Sequence, residues 1–494
     1  MKSKDLFDAI GMAKDDYISD AKKPIPKKIY RSKRFYSGIA AVLACAILIG
    51  AFAFPKSPWF VGNWWGSSEE GEQSPVLIEK DPLPQYALSV ASYPDCYPFP
   101  THYSSNEEWK MWRESVNALK QDYRDLSINL DDFFAQSIPV FLSGEEGENK
   151  VYSPLNVYMA LGMLAEITDG NSQAQIFDLL GIDDKEQLRK EMNAVWKAHY
   201  SNSGADTLVL SNSLWLNQNF SYDQDTVDIL AKEYYASTFR GEMGSAEYNQ
   251  ALQGWLNQQT DGLLENQISN IKMSPNTMLT LASTVLFRDK WENKFLKSKN
   301  DLKTFYAPKG EMTAEFMNSS RMDTYYWGEQ FGAVKLPMIE SGNMMLILPD
   351  KGVDVESLLA DEQVMDYIFA GNTWENQKYL MVNLSVPKFD VSSQIGLQEG
   401  LETLGVTDIF NAAEADFSPI FQNGENAFMT DSNHGTRVVI DEEGCTGAAY
   451  TLSTYGAGVP TEDEVDFVLD RPFLFVVTSS LGLPIFVGIV NQPQ

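Results

Sequence analysis

The chain has 494 residues, 44% of them hydrophobic, which is enough for a sizeable core, and a formal net charge of −30. Residues 1–34 hold ten Lys/Arg and five Asp/Glu, leaving 28 basic against 63 acidic residues in the rest. So acidic a surface argues against nucleic-acid binding, which depends on cations neutralising phosphate, and three cysteines are too few for a disulfide framework.

The basic tail, residues 1–34, opens on MKSKDLFDAIGMAKDDYISDA (1–21), which predicts a short amphipathic helix. It resembles the N-terminal tails of some Gram-positive membrane-bound regulators, which implies a bacterial cell membrane. FYSGIAAVLACAILIGAFAF (35–54) carries no charge and has the length of a helix that crosses a ~30 Å hydrocarbon layer. Seven Lys/Arg lie in KKPIPKKIYRSKR (22–34) just before it, so the positive-inside rule puts the N-terminus in the cytoplasm and everything after residue 55 outside. Trp59, Phe60, Trp64 and Trp65 suit an interfacial aromatic belt. The alternative is a secreted protein, because Ala51-Phe52-Ala53 has the small-x-small form of a signal-cleavage site. Both readings export the bulk of the chain.

Residues 55–106 are rich in Pro, Ser, Gly and acids and predict a tether with extended pieces. Cys96 at its end and Cys445 both fall on the exported side, and nothing in their spacing demands a bond between them. Trp109, Trp112, Val116, Leu119, Tyr123 and Leu126 recur at three- and four-residue spacing, one face of a helix packed on the main domain. This helix extends a domain spanning 107–494 whose core starts at about residue 130.

From there helices and strands mix. DDFFAQSIPVFL (131–142) and SPLNVYMALGMLAEI (153–167) predict helices. TLVLSNSLWLN (207–217), TMLTLASTVLF (277–287), NMMLILP (343–349) and MVNLSVPKFDV (381–391) predict strands from alternation and β-branched content. GWLNQQTDGLLENQI (254–268) predicts a helix broken at Gly262, QIGLQEGLETLG (394–405) a helix, and the tail returns to strands. The class is mixed α/β (α+β) with long antiparallel strands and no internal repeat.

Enzymatic chemistry finds little support. The only histidines are His102, His199 and His434, each expected on the surface or satisfied in the core. No HExxH, Gly-x-Ser-x-Gly, Walker loop, dinucleotide fingerprint or CxxC pair is present. A surface hydrolase is therefore disfavoured, no metal site or cofactor is expected, and the acids DEE (441–443) are read as solvated charge.

The stretch GCTGAAYTLSTYGAG (444–458) is unlike the rest: twelve of its fifteen residues are Gly, Ala, Ser, Thr or Cys. Every second residue from Cys445 (Gly447, Ala449, Thr451) is compact and uncharged, whereas Tyr450 and Leu452 fall in the alternate set with Gly444, Thr446 and Ala448. In a strand these sets point to opposite faces.

With NKVYSPLNVYMALGMLAEITDGNSQAQI (149–176), LQGWLNQQTDGLLENQI (252–268), TVLFRDKWENKF (284–295), VNLSVPKFDVSSQIGLQEGLETLGVTDIF (382–410), VVIDEEGCTGAAYT, DRPFLFVV and GLPIFVGIV in this order, the chain from about 130 to 494 resembles the serpins, the serine-protease-inhibitor superfamily. The resemblance implies a large central sheet, further sheets, surrounding helices and an exposed reactive loop. It also implies a suicide mechanism: a serine protease cuts the loop and is held as an acyl-enzyme, and the cut loop inserts as a new strand of the central sheet, driven by stored strain. The native state is then kinetically trapped. The hinge positions are Glu442, Glu443, Gly444, Cys445, Thr446, Gly447, Ala448, Ala449, Tyr450 and Thr451. The shutter positions, under the point where the sheet opens, are Asn149, Ser153, Pro154, Asn156, Ser283 and His434.

Departures from the family pattern are Cys445 in place of Thr or Ser, and Gly447 in place of Ala, the latter worth about 0.5–1 kcal/mol. Asn156 and Ser283 are exchanged relative to the usual Ser and Asn, with His434 expected to bond either. A disulfide between Cys445 and Cys96 would pin the loop; the alternative, preferred here, is that Cys445 is a free small thiol. Loop length places the cut at Gly458–Val459, with Tyr455 and Ala457 as nearby alternatives. No Arg or Lys lies between Gly444 and Asp470, so the expected partner is an elastase-like or subtilisin-like serine protease, with TEDEVD (461–466) available to attract a basic one. A monomer is expected. The alternative is a non-inhibitory binding protein on the same fold, whose hinge would typically carry bulky, charged or proline residues.

Overall fold

The computed structural model describes residues 85–100, 103–143, 147–340, 342–370, 373–430, 432–445 and 463–493. The basic tail, the apolar run 35–54, most of the tether, His102 and the loop 446–462 lie outside these residues. Among the described residues no helix is long and apolar enough to cross a membrane.

Two large sheets and the helices around them make a mixed α/β frame. The first sheet runs β1 (Ala87–Ser89), β5 (Ala236–Gly241), β4 (Thr207–Asn217), β6 (Leu279–Lys290), β14 (Gly444–Cys445), β13 (Asn433–Ile440) and β12 (Phe389–Gly396), with β3 (Ser201–Asn202) on the end of β4. The second runs β15 (Glu464–Val468), β11 (Gln377–Pro387), β8 (Gly310–Trp327), β9 (Phe331–Pro337), β10 (Asn343–Pro349), β16 (Phe473–Thr478), β17 (Pro484–Val490) and β2 (Lys150–Tyr152), with β7 (Asp301–Ala307) on β8. Pairing is antiparallel except between β4 and β5 and between β11 and β15.

Burial explains the sequence patterns. All eleven residues of β4 are buried, because both faces are covered. Leu210, Leu214 and Leu216 enter the largest core cluster, while Trp215 stacks on Phe239 and meets Tyr248 and Trp255 of α7 (Ala246–Gln259). The polar residues in the middle of β4 find partners: Ser211 donates to Gln259 at 2.8 Å. The helix α3 (Pro154–Glu166) is buried all round except at Ala160, as expected of a helix apolar on every side. Its last residue, Glu166, accepts two bonds from Arg189, at 2.7 and 2.8 Å, and one from the Tyr234 hydroxyl at 2.8 Å. That fully satisfies a buried charge.

The extension is built onto this frame. Helix α1 (Asn106–Leu126) starts with a capping box between Ser105 and Glu108. It lies along α5 (Lys185–His199), joined by Lys197–Asp122 at 3.2 Å and by Tyr123 set edge-on to His199. Two expectations need correcting. The last part of the tether is not free: β1 pairs with β5, Phe99 N–H donates to the Ser203 carbonyl at 2.9 Å, and Tyr93 packs on Trp196. The segment carries enough aromatic surface to pay its ordering cost. QIGLQEGLETLG is not helical throughout, because Gln394–Gly396 continue β12 in register with β13 and the helix spans only Gln398–Thr403. Tertiary pairing overrides the helical spacing there.

Candidate functional site

The hinge starts where the chain leaves β13 and turns back. Asp441 makes that turn: its Oδ1 accepts from the N–H groups of Glu443 (2.8 Å) and Gly444 (3.1 Å), and its own N–H donates to the Gly444 carbonyl. The turn returns Gly444 and Cys445 as a two-residue strand between β6 and β13. Gly444 lies opposite Lys290, and Cys445 opposite Asp289 on one side and Ile440 on the other. Among the described residues β6 and β13 are connected through β14 alone, with no ladder directly between them.

Around this strand the backbone is tied down. Trp291 N–H donates to the Glu443 carbonyl at 3.1 Å, Phe295 N–H to that of Glu442 at 3.0 Å, and the Trp291 indole to that of Asp441 at 2.8 Å. The Glu442 carboxylate takes an ion pair from Lys388 at 2.7 Å and a bond from Asn300. Burial raises its pKa, but these bonds outweigh that and hold it below the usual carboxylate range. Glu443 is paired with Lys294 at 3.7 Å. Two of the acids read as solvated charge, Asp441 and Glu442, are therefore structural, while the Glu443 carboxylate stays partly in solvent.

Cys445 is 1% exposed, in the core cluster with Trp291, Val438 and Ile440. Burial pushes its thiol up, with Asp289 and Asp441 adding to the effect. Cys96 is half-buried beside Tyr200 and Asn202, and both thiols are free, so the suggested disulfide is not formed. The other hinge positions, Thr446, Gly447, Ala448, Ala449, Tyr450 and Thr451, and the cut-site residues Tyr455, Ala457, Gly458 and Val459, lie outside the described residues.

The shutter positions separate into three groups. Ser153 and His434 meet: the Ser153 N–H donates to His434 Nε2 at 3.1 Å, and the Ser153 hydroxyl donates to the Ile485 carbonyl at 2.6 Å. Pro154 follows as the first residue of α3, where its missing N–H costs nothing. Asn156 and Ser283 meet across helix and strand, Oδ1 to Oγ at 2.6 Å, with Asn212 of β4 at 2.7 Å from the same hydroxyl. His434 has no bond to Asn156 or Ser283, contrary to expectation; its ring faces Tyr152 and Ser153 instead. Asn149 belongs to neither group. Its side chain accepts from the N–H groups of Asn491 and Gln492 and donates to the Gln492 carbonyl, so it clasps the C-terminal strand. His199 is a satisfied core residue, bonded to the Val195 carbonyl and the Ser479 hydroxyl.

Sequence reasoning missed Asp441, Trp291, Phe295, Lys388, Asn300 and Asn212. Only Asp441 carried a local signal, an Asp two and three residues before Glu443 and Gly444, the spacing of an Asx turn. Among the described residues no cluster of His, Cys, Asp or Glu is placed to hold a metal ion.

Comparison with known proteins agrees with this geometry. A family model described as "Serpin (serine protease inhibitor)" matches residues 130–493. Serpin-ZX of Arabidopsis thaliana is 25% identical over 397 residues, covering 77% of this chain and 99% of its own. The leukocyte elastase inhibitor of Homo sapiens is 25% identical over 374 residues, covering 73% and 97%. Among solved structures, the thermophilic serpin tengpin in its native state matches with a TM-score of 0.66 at 25% identity, over 82% of this chain and 100% of its own. A thyroxine-binding globulin in complex with thyroxine matches with a TM-score of 0.62 at 20% identity, over 77% and 99%, a likeness of fold alone. The chain belongs to the serpin family.

Proposed function

We propose that this serpin is an inhibitor of an exported serine protease that prefers small residues, and that it works by inserting its cut loop between β6 and β13. In this reading the protease serine attacks the carbonyl carbon of Gly458, the Gly458–Val459 bond breaks with Val459 leaving as a free amine, and an ester holds the protease to the loop. The loop then continues the strand that Gly444 and Cys445 begin, carrying the protease with it.

The observation that supports this reading best is the position of Cys445. It is buried as a strand residue between β6 and β13, and the residues that follow it at every second position, Gly447, Ala449 and Thr451, are small. A growing strand meets no bulky or charged group on the face that Cys445 buries. The absence of Arg and Lys from Gly444 to Asp470 disfavours a protease pocket that needs a cation. As part of the same proposal, the run 35–54 crosses the cell membrane once, with the N-terminus in the cytoplasm and the serpin domain outside.

The test is to mix the chain with an elastase-like or subtilisin-like protease and run the products on a denaturing gel. A band at the summed mass that survives SDS supports inhibition. Digestion of the loop with the protease left active and uncomplexed overturns it and leaves the non-inhibitory binding protein.

A further inference from the structure

Between α1, the end of α5 and the turn before β10 there is a cavity of about 50 Å³ lined by Lys120, His199, Ser201, Asp206, Glu340 and Ser480 among others. Lys120 reaches in from α1 and donates to the Ser480 hydroxyl at 2.8 Å. Asp206 is 6% exposed, its Oδ1 accepting from Ser201 and Ser203 at 2.6 Å each. Glu340 lies in the turn between β9 and β10. Its N–H donates to Asp289 Oδ2 at 3.2 Å, and the neighbouring Ile339 N–H donates to the Lys290 carbonyl at 3.0 Å. Asp289 and Lys290 are the residues opposite Cys445 and Gly444. Three carboxyl groups thus converge behind the hinge strand, beneath a helix that belongs to the extension.

We propose that Glu340 is a proton switch for the hinge. Protonated, it lets its turn hold Asp289 and Lys290 against Gly444 and Cys445; ionised, it is repelled by Asp206 and Asp289, and the turn loosens its hold. The groups that face it are Lys120 from α1, Asp206 from the loop before β4, whose own carboxyl burial pushes up, Asp289 from β6, and His199 from the end of α5. Burial first, then Asp206 and Asp289, push the Glu340 carboxyl up to about 8, with Lys120 opposing. Burial lowers the pKa of Lys120, which weakens that opposition. His199 is held neutral by burial, its pKa lowered to about 4. An acid whose folded pKa lies above its unfolded value stabilises the fold below that unfolded value, and the contribution is lost as pH rises through the folded one. The hinge is therefore held most firmly in acid, and the hold weakens progressively as pH rises above the ordinary carboxylate range until it is gone at about 8. Lys290 is lowered by burial to about 8 and titrates in the same window, so a substitution rather than a pH curve alone separates the two groups.

The consequence for trapping rests on the inhibitor reading, but the test does not. In the full chain carrying Cys45→Ser and Cys96→Ser, Cys445 is the one remaining thiol, and its labelling by iodoacetamide reports release of the hinge strand. The quantity read is the labelling rate of this protein divided by that of the same protein with Glu340→Gln, at each pH. The ratio is expected to rise about fivefold or more between pH 6 and pH 8 and to level off above that. Asp206→Asn removes a neighbouring like charge, so the rise in labelling is expected at lower pH, and this variant decides the matter where Glu340→Gln does not fold. A ratio flat from pH 6 to 9, or a rise unmoved by Asp206→Asn, overturns the switch. Complex formation with protease is scored separately: a flat ratio with intact trapping removes only the switch, and a rising ratio without trapping removes only the inhibitor.

Discussion

Gly444 approaches β6 so closely that a Cβ built on it stands 2.3 Å from the carbonyl oxygen of Asp289 and 2.7 Å from the Cα of Lys290. These are backbone atoms of β6, which yield only if the strand shifts, and the Lys290 carbonyl is also tied to the Ile339 N–H at 3.0 Å. Gly444 is required by contact rather than by an unusual torsion. Gly444→Val is expected to expel the hinge strand. Cys445 should then label about tenfold faster or more, and the melting temperature should fall by an amount equivalent to roughly 1–3 kcal/mol of overpacking. Thiol labelling and a thermal melt check both.

Asn156, Ser283 and Asn212 form a second, deeper contact. The Ser283 hydroxyl lies 2.6 Å from Asn156 Oδ1 and 2.7 Å from Asn212 Oδ1; its single proton donates to one of the two amide oxygens at a time. Asn156→Ala removes one of the two acceptors within reach of the Ser283 hydroxyl and is expected to cost about 0.5–1.5 kcal/mol. The paired exchange Asn156→Ser with Ser283→Asn keeps the helix-to-strand bond and should lose less than the sum of its single changes, by about 0.5–3 kcal/mol. Denaturant unfolding of the four proteins in the cycle checks this. Strict additivity would show that the two side chains are not coupled.

His434 sets an acid limit on the fold. It accepts the Ser153 N–H on Nε2, which requires that nitrogen unprotonated, and burial lowers its pKa to about 4. The unfolded chain takes up a proton near 6.5 and the folded one does not until about 4, so the unfolded state binds more protons across this window and stability falls as pH drops through it. The expected loss from this residue is about 3 kcal/mol. His199 is lowered in the same way to about 4 and adds to the slope. His434→Gln should be less stable at pH 7 and should flatten the decline between pH 6.5 and 4, as unfolding in urea at a series of pH values will show.

Particular residues show what the sequence disclosed and where it stopped. The alternation in TLVLSNSLWLN and the run of small residues after Glu443 both report local requirements, and both are visible without a structure. The hold on the hinge is not local: Trp291, Phe295 and Asn300 lie about 150 positions before it and Lys388 about 50, and bonds over such separations leave no mark in composition. Residues 86–100 look like a tether because extended chain has the same composition whether free or paired with an edge strand. QIGLQEGLETLG shows a contest between helical spacing and a ladder with β13, which the ladder wins up to Gly396. Asn149 stands in the family order, but its amide serves the C-terminus, a role that order alone does not disclose.

The measurement that bears most directly on the mechanism is the melting temperature of the nicked protein. After a single cut in 446–462 by an elastase-like protease, the chain is expected to gain a full strand between β6 and β13 and to stay folded well above the temperature at which the intact protein unfolds. Gly447→Arg, cut in the same way, should show no such gain. If the nicked and intact proteins melt at the same temperature, the loop does not insert and the account of Cys445 as the first residue of a growing strand is contradicted.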